Sequence, residues 1–160
     1  MEPAPVDDVE MPPLPAGWEW AALGQVCEIV GGITVDSKRD GADLVEVPYL
    51  RVANVQRGYL KLQQVKTIKA PPAAIAKIAL RPNDLLMNEG GDRDKLGRGW
   101  VWNGEIPNCI HQNHVYRARP FLAAIDARFL SHYFNEIGRA FFFDAATQTV
   151  NRPVAKVCCQ

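Results

Sequence analysis

The sequence predicts an α+β domain: a mostly antiparallel twisted sheet of short strands with hairpins, packed by helices toward the C-terminus. Three observations carry this expectation. Short runs of strand composition, among them "QVCEIV", "VPYLRVANVQ", "LLMN" and "NHVYRAR", follow one another between turn dipeptides. The clearest helical periodicity comes late, after Asp126. Strands and helices do not alternate regularly, which excludes a parallel doubly wound sheet.

The elements follow in order. Residues 1–13 form an acidic, Pro-rich leader with Pro3, Pro5, Pro12 and Pro13, a composition expected to stay disordered. From Leu14 the text is globular, and a strand is expected over Gln25–Val30, closed by Gly31-Gly32. Residues 33–46 are polar and read as a surface loop. "VPYLRVANVQ" and "YLKLQQVKTI" read as two strands joined at Arg57-Gly58. "PPAAIAKIAL" reads as a short helix opened by proline, and "RPND" as a turn feeding a strand over Leu85–Asn88. "GWVWNGEIPNCI" predicts a hairpin with Asn103-Gly104 at its tip. "NHVYRAR" alternates, with His114, Tyr116 and Ala118 opposite Val115, Arg117 and Arg119. A helix capped by Asp126 follows, with Phe129, Leu130, Tyr133 and Phe134 on one face, then a second helical piece over 136–143.

Bulk properties bound the function classes. A chain of 160 residues with 48% hydrophobic content can bury one proper core. Its 18 basic and 18 acidic residues cancel. Because Glu2, Asp7, Asp8 and Glu10 all precede residue 11, the rest carries 18 positive and 14 negative charges, a mild excess compatible with DNA. The acidic N-terminus is unlike a secretory signal, and no apolar run approaches a membrane span. The expectation is a cytoplasmic protein whose thiols Cys27, Cys109, Cys158 and Cys159 stay reduced.

The most informative stretch is "NEGGDRDKLGRGW", residues 88–100. A phosphate cradle fails on spacing: five residues separate Gly91 from Gly97, and Arg98-Gly99-Trp100 stands where Lys-Ser/Thr would be needed. Glu89, Asp92 and Asp94 have the chemistry to hold Mg²⁺, which keeps a Mg²⁺-dependent nuclease as a rival reading. Cys109, His111 and His114 in "CIHQNH" lack the second pair of ligands that structural zinc requires, so a core thiol and hydrogen-bonded histidines are expected, with no metal. Recognition is the third reading. Side chains that bond base edges and phosphates concentrate in "RVANVQRG", "NEGGDRDKLGRG" and "HQNHVYRAR".

"LPAGWEWAALGQVCEIVGGIT", "VPYLRVANVQRGYLKL", "NDLLMNEGGDRDKLGRGWVWNGEIPNCIHQNHVYRARP" and "FLSHYFNEIGRAFF" followed by "QTVN" resemble, in order, the target recognition domain of a type I restriction–modification specificity subunit. The resemblance covers residues 14–151. It implies a double-stranded DNA reader for one half of a gapped site, with no catalysis of its own. It also implies modification (methyltransferase) and restriction subunits as partners. S-adenosylmethionine, ATP and Mg²⁺ would sit on those partners and no cofactor on this chain. The text departs from the family after Asn151: residues 152–160, "RPVAKVCCQ", form an atypical tail where a long spacer helix would begin. The expectation is therefore a single recognition domain lacking its helical ruler, either a fragment, a truncated frame or a natural half-subunit. A homodimer, or an interaction fragment without DNA affinity, is the further alternative.

Within that reading, the expected DNA-binding residues are Arg51, Asn54, Gln56, Arg57, Arg93, Lys95, Arg98, His111, Gln112, Asn113 and His114. Arg and Lys suit guanine edges or phosphates, while Asn and Gln suit adenine. Lys61, Lys66 and Lys69 are expected to contact phosphates.

Overall fold

The computed structural model describes residues 13–36, 38–89, 95–138 and 156–159. Among these, eleven short strands and three helices follow the chain as β1 (Glu19–Ala22), α1 (Leu23–Val26), β2 (Cys27–Gly31), β3 (Val45–Leu50), β4 (Val55–Gln56), β5 (Tyr59–Leu60), β6 (Lys66–Ala70), α2 (Pro72–Ile78), β7 (Asp84–Asn88), β8 (Gly99–Trp102), β9 (Ile110–His111), β10 (Val115–Pro120), α3 (Ala127–Glu136) and β11 (Lys156–Cys159). The fold is α+β with short, mostly antiparallel strands, as the sequence predicts.

The principal sheet is antiparallel in the order β2-β10-β7-β8. A second sheet, β6-β3-β9, pairs β3 antiparallel to β6 and parallel to β9. β4 and β5 form a small hairpin, and β1 pairs antiparallel with β11.

Every residue of β7 is buried. A strand alternates its side chains, so both faces of β7 must be covered. Leu85 and Met87 point toward α3 and pack with Val101, Ala118, Leu130 and Phe134. Leu86 points the other way and packs with Leu50, Val55, Trp102, Cys109 and Val115. A third cluster, Ile33, Val47, Tyr49, Ala70, Ile78 and Ile110, lies between the second sheet and α2. The helix α3 buries Ala127, Leu130, Ser131, Tyr133, Phe134 and Asn135, and Asp126 caps it by accepting from the Arg128 N–H at 2.8 Å. α2 starts with Pro72 in its first turn, where the missing N–H costs nothing.

Several elements differ from the sequence expectation. The two strands expected over 47–56 and 59–68 are each broken. β3 ends at Leu50 because the Asn54 side chain accepts from the Arg51 N–H at 3.0 Å and closes a turn. Arg57-Gly58 does turn a hairpin, pairing Gln56 with Tyr59, and Gly58 takes a positive φ of 79°. The hairpin expected at Asn103-Gly104 is absent. Gly104 turns the chain at φ 88°, but β8 pairs with β7 and Ile110-His111 joins β3 instead. The apolar sides of Trp102 and Ile110 belong to different clusters, so tertiary burial overrides the local turn signal. The 33–46 loop is shorter than expected, since Ile33 is buried and bridges Gln112, and Val45-Glu46 already belong to β3. Phe129 leaves the buried face of α3 and lies against Trp18, with ring centroids 6.1 Å apart. Of the expected second helical piece, Glu136 ends α3, and residues 139–143 lie outside the described residues. So do residues 1–12 of the expected leader; in the tail, Lys156–Cys159 are a strand.

Candidate nucleic-acid interface

One end of the principal sheet collects the three segments rich in hydrogen-bonding side chains. Antiparallel pairing places the end of β2, the end of β7, the start of β8 and the start of β10 together, with Gly31 opposite Tyr116, Asn88 opposite Val115, and Met87 opposite Gly99. The β4–β5 hairpin is tied to the same end, because the Gly58 N–H donates to Gly99 O at 3.2 Å and Arg98 Nη1 donates to Gln56 Oε1 at 3.0 Å. Residues 54–58, 88–89, 95–98 and 111–116 are thus neighbours in space.

The base of the charged loop is pinned from several directions. The Asn88 N–H donates to Arg98 O at 2.9 Å and the Gly97 N–H to Asn88 O at 3.0 Å, with Gly97 at φ 67°. Buried Asn88 donates from Nδ2 to Val55 O at 3.0 Å. The Glu89 N–H donates to His114 O at 3.0 Å. Glycine is required at position 99, where a Cβ would stand 2.6 Å from Leu86 O.

The expected site residues divide into groups. Asn54 and His111 are buried, and each serves the fold. Asn54 Nδ2 donates to Lys61 O at 2.9 Å, and His111 Nδ1 donates to Val115 O at 2.6 Å. Burial lowers the His111 pKa to about 4, opposed by the Val115 carbonyl and reinforced by the Arg117 charge, so His111 is neutral at pH 7. Neither side chain has the surface access a base contact needs. Arg51 Nη2 donates to Gln64 O at 3.0 Å, and Arg57 Nη1 donates to the Asn135 carbonyl at the end of α3. Gln56 Nε2 bonds Ala53 O at 3.0 Å while its Oε1 holds Arg98. These three half-buried side chains brace the hairpin and the loop. Lys95, Gln112 and Asn113 are half-buried and His114 is exposed, all toward the same end of the sheet. Arg93 lies outside the described residues.

Lys61, Lys66 and Lys69 are exposed. Lys66 and Lys69 stand on β6, an edge strand, where their odd spacing sends them to opposite faces. Such lysines also discourage edge-to-edge strand pairing.

The metal alternatives find little in the described geometry. Among the described residues no group of three His, Cys, Asp or Glu side chains converges to hold an ion. Asp92 and Asp94 lie outside the described residues. Cys109 is a buried thiol, pushed up to about 12 by burial and by the Glu105 charge, and its Sγ lies 3.5 Å from Ile110 O.

Sequence reading missed two residues of this rim and two ion pairs elsewhere on the same sheet. Tyr116 donates its hydroxyl to Glu89 Oε1 at 2.5 Å, and His114 Nδ1 stands 3.9 Å from Glu89 Oε2. Tyr116 was visible only as one member of an alternating run, and Glu89 only as a possible metal ligand. Farther along the strands, Arg119 makes a two-point contact with buried Asp84, at 2.7 and 2.8 Å, and buried Arg117 pairs with Glu28 at 2.8 Å. The Asp84 bond holds the Arg119 pKa above its ordinary value. No spacing rule links Asp84 to Arg119 in the sequence.

The fold matches known structures. The HsdS subunit from Thermoanaerobacter tengcongensis superposes over 94% of the chain with a TM-score of 0.62 and 18% identity. The fold is that of a domain-sized part of this HsdS subunit. A chain of a type I R-M system, solved for its complex assembly and conformational transition, matches over 98% with a TM-score of 0.58 and 21% identity. The type I restriction-modification S subunit from M. genitalium matches over 90%, with a TM-score of 0.56 and 13% identity. The chain spans about a third of the length of these HsdS-type chains, 35%, 36% and 34% respectively. No family model matches the chain, and no curated protein matches it by sequence. The solved structures therefore agree with the resemblance carried by the motifs. Among the described residues no helix is long and apolar enough to cross a membrane.

Proposed function

We propose that this chain binds duplex DNA in a sequence-specific manner and reads one half of a gapped target for a type I restriction–modification complex, without catalysis of its own. The observation that supports this most is the convergence of residues 54–58, 88–89, 95–98 and 111–116 on one end of the principal sheet, in a fold shared with HsdS subunits. A rigid sheet can position clustered polar loops to present base-reading side chains. Of the expected contacts, Arg98, Lys95, Gln112, Asn113 and His114 remain the candidate readers among described residues, with Lys61, Lys66 and Lys69 as phosphate contacts. Modification and restriction subunits are the proposed partners. S-adenosylmethionine, ATP and Mg²⁺ belong to those partners, and the setting is the cytoplasm.

The test is selection from randomised duplex DNA at low salt, with and without a cognate modification subunit. Low salt compensates for the few phosphate contacts a lone domain makes. Enrichment of one short ungapped motif supports the proposal. Folded protein that enriches nothing in either condition refutes it. Cleavage of DNA by the purified chain in Mg²⁺ would favour a nuclease instead.

A further inference from the structure

The geometry points to Glu89 as a base-reading acceptor for the exocyclic amino group of cytosine, held in place by Tyr116. This rests on the DNA-binding reading above and deepens it. Glu89 follows the last residue of β7, so its backbone is set by the sheet, and its N–H is fixed to His114 O at 3.0 Å. Its side chain is 42% exposed and faces out at the rim where the polar segments meet. Tyr116 lies opposite Gly31 of β2 in the ladder. The Tyr116 hydroxyl then donates to Glu89 Oε1 at 2.5 Å. The carboxylate is thereby oriented, with Oε1 bonded to the tyrosine and Oε2 turned toward His114 Nδ1, 3.9 Å away.

A carboxylate at a DNA interface is repelled by phosphates, and its orientation here is bonded rather than left to solvent. Such a group gains only where it meets a donor. In the major groove cytosine presents a single donor, N4, whereas adenine sets its N6 donor beside the N7 acceptor, which repels a carboxylate. An oriented carboxylate, which only accepts, matches the lone donor of cytosine. The same charge penalises bases with acceptors at that position, so Glu89 rejects wrong sequences as well as accepting the right one.

The experiment compares the wild-type chain, Glu89→Gln and Tyr116→Phe in the same randomised-duplex selection, followed by binding measurements on the enriched motif and its single-base variants. The wild type is expected to require cytosine at one position. Glu89→Gln, which can donate as well as accept, should lose about 5- to 150-fold discrimination at that position alone. It should also bind non-specific DNA several-fold more tightly, because one negative charge is gone. Tyr116→Phe should relax the same position to a lesser degree. Folded Glu89→Gln that keeps the wild-type preference at every position, or weakens all sequences equally, overturns the assignment to Glu89. A preference that Glu89→Gln relaxes at a position other than cytosine overturns the assignment to that base. A wild-type chain that enriches no motif overturns the DNA-binding reading itself, and the inference with it.

Discussion

Asn135 on α3 holds the backbone of Gly99 from both sides: its Nδ2 donates to Gly99 O at 2.8 Å, and its Oδ1 accepts from the Gly99 N–H at 3.1 Å. The pair is buried, and it ties the helix to the first residue of β8, where the charged loop ends. Gly99 O also receives Ser131 Oγ at 3.3 Å and the Gly58 N–H, so it keeps partners without Asn135. The Gly99 N–H does not. Asn135→Leu should therefore cost about 1–3 kcal/mol, the penalty of one stranded buried donor. Urea unfolding at equal m-value checks the size. Hydrogen exchange should show faster exchange at the 97–99 amides than the global loss explains.

His111 predicts a pH dependence. Its folded pKa is about 4, below the ordinary 6.5, because burial penalises the charged ring. The unfolded chain then binds a proton between those values while the folded one does not. Stability is full above about 6.5 and falls as pH drops toward 4, by about 3 kcal/mol at most from this residue. Urea midpoints from pH 7.5 to 4.0 should show this decline. In His111→Asn, which keeps a donor for Val115 O but does not titrate, that part of the slope should vanish.

Asp84 is wholly buried beneath Arg119 and also accepts from the Arg81 N–H at 2.7 Å. Asp84→Ala leaves the Arg119 charge against a dry surface and frees the turn before β7. The expected loss is about 3 kcal/mol, at the lower end for a broken buried pair because Arg119 retains some exposure. Double substitution with Arg119→Met should recover part of it. Thermal denaturation of the four proteins of the cycle measures the coupling.

Gly32 sits against the β9 backbone, where a Cβ would lie 1.9 Å from His111 O. That oxygen accepts the Ile33 N–H at 2.8 Å, so the neighbour cannot move without breaking the bridge. Gly32→Ala should cost about 3 kcal/mol or more. Its mark should be selective chemical-shift change at Ile33, His111 and Gln112.

For DNA, Lys66 is an exposed edge-strand side chain and Arg98 a rim residue bonded to Gln56. If the proposed roles hold, Lys66→Ala weakens all duplexes alike and lowers the salt slope by about 0.9 for the one phosphate lost. Arg98→Ala should instead change preference at one position, by about 1–3 kcal/mol. Titrations of matched and mismatched duplexes at several salt concentrations separate the two. Equal behaviour of the two variants would remove Arg98 from the readers.

What the sequence determined by itself was local. Asp126 had a helix to cap, Pro72 a first turn to occupy and Arg57-Gly58 a hairpin to close, and each does so through bonds among near neighbours. The α+β class was legible for the same reason, since short strand runs and one late amphipathic helix leave few other assemblies. The motifs around "NEGGDRDKLGRG" and "HQNHVYRAR" carried the resemblance that the solved structures match. Tertiary structure decided everything that depends on partners far along the chain. It sent Ile110-His111 to β3 rather than back to β8, because Ile110 and Trp102 complete different clusters. It buried Asn54 and His111, polar residues that bond the Lys61 and Val115 carbonyls inside the fold. It also joined Glu89 to Tyr116 across the sheet. A side chain's chemistry is written at one position, but whether it faces water, a base or the core depends on what folds over it, and composition and spacing do not record that.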